Sequence, residues 1–119
     1  MIIKLPLKLF LDGTLFGKIV SYDYETPWAA GQFAAVNENH LRSLIEVCEL
    51  SEEIESWPDL VSREEDDERW RAAMDRRGIT EADADQHLNG PWIIETQDGT
   101  RHEIFSPVFD RKGFVTWRW

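Results

Sequence analysis

The residues able to carry chemistry are three histidines (His40, His87 and His102), the single Cys48, and the carboxylate run Glu64-Glu65-Asp66-Asp67-Glu68. No histidine stands at helical spacing from another or at ligand spacing from Cys48, so a zinc site of the usual kinds cannot be drawn. Cys48 falls on an apolar helical stripe, where a thiol behaves as a small hydrophobe. No spacing pairs it with a base that would make it a nucleophile. The carboxylate run occupies the first turns of an expected helix, where exposed amides and the macrodipole favour acids without any ligand. Adjacent helical positions diverge, so only Glu64 with Glu68, and Glu65 with Arg69, share a face. Asp83 and Asp85 fail the calcium-loop pattern, because Leu88 stands sixth where the sharp turn needs glycine. There is no glycine-rich phosphate loop, nucleophile elbow or dinucleotide fingerprint. No metal or cofactor is expected, and no catalytic residue is assigned.

The charges are more telling than the motifs. The 119 residues carry 13 bases and 23 acids, a net charge of -10. Residues 1–37 balance three acids (Asp12, Asp23, Glu25) with three lysines, and residues 91–119 balance four with four. The whole excess therefore sits in residues 38–90. A polyanionic chain repels phosphate backbones and anionic lipids, which argues against nucleic-acid and membrane binding. Lysines inside the first apolar stretch are unlike a signal peptide, and one cysteine allows no internal disulfide, so a cytoplasmic location is expected.

Six tryptophans, at 28, 57, 70, 92, 117 and 119, are several times ordinary usage. Large rings are the most effective filling for the layer between a sheet and helices. The alternative is a ligand pocket lined by Trp28, Trp117 and Trp119 and completed by His102, Glu103 or Arg118.

The elements that must position these residues follow from periodicity. Apolar residues occupy every second position from Ile3 to Leu11, the period of a half-buried strand. Asp12-Gly13 turns the chain into a second arm, Leu15 to Tyr24. A three-residue loop, Leu11-Asp12-Gly13, is preferred because it gathers Lys4, Lys8 and Lys18 on one face. Pro6 cannot donate to a ladder and marks an edge strand or an irregular point. Pro27-Trp28 and Gly31 indicate a bend with close backbone approach, and Ala30 to Val36 forms a third strand. At the other end, Trp92–Gln97, Thr100–Phe109 and Phe114–Trp119 make an antiparallel meander, in which Trp117 and Trp119 share a face with Val115.

Between the flanks, Asn37 caps a helix reaching about Ser56, with Leu41, Leu44, Ile45 and Cys48 as its buried stripe. Ser62 to Glu65 is a capping box opening a second helix that stops at Gly78, with Ile79 packing back on Met74. Thr80 starts a third, ended by Asn89-Gly90-Pro91. The expectation is one α+β domain: a single antiparallel sheet of five to six strands with two or three helices on one face.

Gly17-Lys18-Ile19-Val20, then Pro27-Trp28-Ala29-Ala30-Gly31-Gln32-Phe33, then Val115-Thr116-Trp117-Arg118-Trp119 resemble a group of short bacterial proteins of unknown function. Its members open with a hairpin, carry Pro-Trp-x-x-Gly-x-Phe after it and end in an aromatic-Arg-Trp strand. The likeness covers both flanks and implies a shared fold in which Trp28, Gly31, Phe33, Trp117 and Trp119 have fixed places. It brings no activity with it.

The segregation of charge is the feature that bears on function, since a negative potential confined to one segment permits electrostatic steering. The leading expectation is a non-enzymatic module, immunity-like or adaptor-like in physical character. Its acidic helical face, about 49–68 plus 81–85, would meet a basic protein through Glu64, Glu65, Asp67 and Glu68. A homo-oligomer through an exposed strand edge is the remaining alternative.

Overall fold

Asp12 and Gly13 both adopt positive φ, 50° and 76°, the pair of left-handed residues that a two-residue type I′ hairpin requires. They join β1 (Leu7–Leu11) to β2 (Thr14–Ile19) in the computed structural model, which describes residues 3–58 and 62–119. The three-residue loop is thereby overturned: Leu11 pairs with Thr14 and Phe10 with Leu15. One step on, the register slips, so that Leu9 faces Gly17 and Lys8 faces Lys18. The extra residue is Phe16. This bulge flips the parity of β2, turning both Phe16 and Ile19 into the core while Lys8 and Lys18 share the outer face. Pro6 lies just before β1, which is an interior strand between β5 (Trp92–Glu95) and β2, not an edge.

The expected second arm, Leu15 to Tyr24, breaks after Ile19 and resumes as β3 (Asp23–Glu25) against the same partner, β4 (Trp28–Ala35). Gly31 shows why. A Cβ there would lie 2.0 Å from the Ser21 carbonyl oxygen and 2.7 Å from Ile19 Cγ2, so the kinked backbone sits where a side chain would be. The Ser21 hydroxyl accepts from the Gln32 amide at 2.7 Å, replacing a ladder bond that the break removes.

Thr100–Phe109 is broken in the same way. Phe105-Ser106-Pro107, with Ser106 at φ 43°, divides it into β6 (Arg101–Ile104), paired with β5, and β7 (Val108–Phe109), paired with β8 (Phe114–Arg118). The sheet runs β6-β5-β1-β2-β4-β8-β7, with β3 beside β4. Its two ends are thus successive pieces of chain joined by three residues, a link that spans at most about 14 Å. The sheet must curl on itself, and a ring contact between His102 of β6 and Trp119 beyond β8 (5.1 Å) bridges the same seam. Among the described residues the fold is α+β with three helices and one curled antiparallel sheet. Eight strands, counted among the described residues, replace the five to six expected, because two long strands are each cut in two.

The concave face holds the main core: Leu7, Leu9, Ile19, Ile94, Val115 and the fully buried Trp92 and Trp117 among others. Helix α1 (Glu38–Glu55), capped by the Asn37 side chain accepting from the His40 amide, lays Leu41, Leu44 and Cys48 into it. Helix α3 (Glu81–Asn89) begins with a reciprocal Thr80–Asp83 capping box and contributes the buried His87. Helix α2 (Arg63–Arg77) is different. Ser62 caps its start and Gly78 (φ 67°) its end, where the Ile79 amide reaches the Met74 carbonyl at 3.0 Å, closing a Schellman motif. Its few apolar residues join Val47 and Leu50 of α1 in a second, smaller cluster with Ala73, Met74 and Ile79. Helices α1 and α3 therefore cover the sheet, while α2 packs on α1.

Candidate interaction site

Glu64, Glu65, Asp67 and Glu68 all lie exposed in the first half of α2. The Ser62 hydroxyl accepts from the Glu65 amide at 3.2 Å and sets the helix start. None of the four forms an ion pair among the described residues. Their neighbours on α1 behave otherwise. Arg77, from the last turn of α2, reaches Glu46 at 2.9 Å and lies within 4 Å of Glu49 and Glu53. Arg111, from the β7–β8 turn, binds Glu46 at 2.5 Å and Glu49 at 2.6 Å. Burial pushes the Glu46 carboxyl up, but hydrogen bonds from Arg111 and Arg77 outweigh it and hold it below its ordinary value. The same carboxylates hold the Arg111 guanidinium firmly protonated, Glu49 foremost.

This narrows the acidic face expected over 49–68 and 81–85. Glu49 and Glu53 are neutralised by the sheet and by α2 itself, and Asp83 is tied into its capping box. Asp59 lies outside the described residues. Glu52, Glu55, Glu81 and Asp85 remain exposed with the four acids of α2.

The six residues weighed for the alternative pocket do not converge. Trp117 is sealed in the core. Trp28 and Arg118 are directly opposite each other on β4 and β8 and face outward, the guanidinium 5.6 Å from the indole centroid. His102 and Trp119 stand together at the seam of the sheet, where the Trp119 indole donates to the Tyr22 hydroxyl at 3.0 Å. Glu103 lies exposed on β6.

One pairing was invisible in the sequence. Cys48 of α1 and His87 of α3 meet in the core, Sγ to Nε2 3.4 Å, with the Pro107 carbonyl 2.7 Å from the same nitrogen. A carbonyl can only accept, so Nε2 carries the ring proton and has no lone pair with which to deprotonate the thiol. Burial raises the thiol to about 11, helped by the charges of Glu52 and Glu49. Burial also lowers the imidazole, against the pull of the Pro107 bond. Both groups therefore stay neutral at physiological pH, the opposite of a thiolate–imidazolium dyad. A concavity of about 250 Å³ opens beside Cys48, lined by Glu52, Val108, Phe109 and Lys112 among others. The 39-residue separation carries no spacing signal. The one available clue was that His87 follows Ala84 at helical spacing, on the side of α3 that turns inward.

Among the described residues no three His, Cys, Asp or Glu side chains are grouped so as to hold a metal ion, and no helix is long and apolar enough to cross a membrane. The chain matches no protein-family model, no curated protein and no solved structure.

Proposed function

We propose that the chain is a non-enzymatic interaction module whose acidic surface on α2, centred on Glu64, Glu65, Asp67 and Glu68, binds a basic protein. The observation that supports this is the contrast between two sets of acids. Glu46, Glu49 and Glu53 have arginines from other parts of the fold within 4 Å, whereas the acids opening α2 have no such counter-charge among the described residues. The macrodipole accounts for part of the run, stabilising an acid by about 0.3–1 kcal/mol within the first turn only. Glu64, Glu65 and Asp66 lie in that turn. Asp67 and Glu68 lie beyond it, and Glu68 repels Glu64 one turn back. A cationic surface would relieve that repulsion and be steered toward it from a distance.

The test begins with a tagged pull-down from native lysate and continues with the association rate of the captured protein. That protein should be basic. Glu64→Gln, Glu65→Gln, Asp67→Asn and Glu68→Gln together should lower its on-rate about tenfold or more and flatten the dependence on ionic strength. An on-rate that ignores both salt and these changes removes the reading.

A further inference from the structure

Half of the sheet carries on its outer face a strip in which exposed apolar residues alternate with charged and polar ones. Because directly opposed residues of antiparallel strands share a face, the register defines the strip in rows. Glu25, Trp28 and Arg118 form the first row, Asp23, Ala30, Thr116 and Val108 the second, and Gln32 with Phe114 the third. Trp28 is 48% exposed, and Phe114 and Val108 are each 38% exposed. The small Ala30 and Thr116 leave a low centre between the Trp28 and Phe114 rings. Exposed apolar side chains spread over one sheet face and interleaved with charges of both signs suit a contact surface.

The charges around the strip say what covers it. The acids Asp23 and Glu25 stand on β3 at one flank, and Arg118 stands on β8 at the other. Trp28 separates Glu25 from Arg118, and none of the three has an ion-pair partner among the described residues. A uniformly basic partner would meet Arg118, and an acidic one would meet Asp23 and Glu25. A second copy of this chain presents the same pattern reversed.

We propose that this face is a homodimer interface, with two copies packed sheet to sheet about a two-fold axis running along β4. Such an axis exchanges the β3 and β8 flanks. Arg118 of each copy then lies over Glu25 of the other, Thr116 lies over Asp23, and the two Trp28 rings meet at the axis. The contact is isologous, so each complementary pair occurs twice and the assembly closes at two. Four strands about 4.8 Å apart and five residues at about 3.3 Å give a footprint of roughly 300 Å². That is well below the roughly 800 Å² per partner of a standard interface, so the dimer is a weak, transient one that forms at high concentration. This surface is separate from the acidic end of α2 and leaves that end free.

Sedimentation velocity of the full chain between about 5 and 500 µM reads the equilibrium directly. The weight-average mass should climb from that of one chain toward two. Trp28→Glu or Phe114→Glu should hold it at one, and Arg118→Glu should weaken association about tenfold or more. Adding Glu25→Arg to Arg118→Glu restores the opposite charges in exchanged positions and should recover most of the affinity. A chain that stays monomeric throughout overturns the proposal. So does a dimer that Trp28→Glu leaves intact, or a loss at Arg118→Glu that Glu25→Arg fails to repair.

Discussion

His87 illustrates how one side chain can look like chemistry and act as structure. Its Nε2 proton is committed to the Pro107 carbonyl at 2.7 Å, while Nδ1 is buried without a partner among the described residues. The ring thus ties α3 to the kink that divides β6 from β7. Protonating it would place a second, unsatisfied donor and a charge in the core, which is why burial lowers its pKa from the ordinary 6.5. The linkage follows with a definite sign. Below 6.5 the unfolded chain takes up a proton that the folded ring refuses, so this contribution to stability is complete above that pH and is lost as pH falls toward the folded value. Denaturant titrations between about pH 7 and 5.5 should show a loss of stability as pH falls that is absent from His87→Gln. An identical slope in the variant would show that the imidazole is not its source. Beyond its helical spacing from Ala84, nothing in residues 81–89 announced this role, because the partners Cys48 and Pro107 come from distant parts of the chain.

At the scale of single elements, what could be read from the sequence was whatever is decided locally. The Asn37 cap, the helix start at Thr80, the left-handed Gly78 with Ile79 folded back on Met74, and the place of the turn at Asp12-Gly13, though not its two-residue length, all depend on residues a few positions apart. The breaks in the two long strands do not. Leu15–Tyr24 has no residue that forbids a continuous strand, and what interrupts it is Gly31 on the neighbouring strand, vacant enough to admit the Ser21 backbone. The one-residue slip at Leu9/Phe10 is equally non-local, since it reconciles a two-residue turn with an inward Ile19. Two glycines separate these levels of control. Gly31→Ala meets backbone on one side and Ile19 on the other and should cost about 2–3 kcal/mol. Gly78→Ala meets nothing within 4 Å and should cost only the left-handed conformation, about 1–2 kcal/mol. Chemical denaturation of the two variants measures both, and equal small losses would mean that β2 and β3 can separate from β4 without penalty.

The whole molecule has two apolar clusters strung along α1, whose N-terminal half faces the sheet and whose C-terminal half faces α2, and its extents are 50 × 28 × 23 Å. The larger cluster is closed by a sheet that wraps it; the smaller rests, among the described residues, on five buried side chains and on Arg77, which links α2 to three carboxylates of α1. Stability should accordingly be uneven, because local opening follows the amount of apolar surface that each unit buries. Amides of α2 should exchange with solvent well before those of β1, β2 and β4. Arg77→Ala removes the link without touching the sheet, leaving Glu46 to Arg111 and Glu53 with no counter-charge among the described residues. It should raise exchange in α2 about five- to tenfold, on the order of 1 kcal/mol for a partly exposed network, with no change in β1. Hydrogen exchange resolved by segment decides this, and equal acceleration in sheet and helix would mean that α2 opens only with the rest. Graded stability of this kind has a functional consequence: the acids proposed to meet a basic protein lie on the least anchored helix, so binding there would stabilise α2 and slow its exchange selectively.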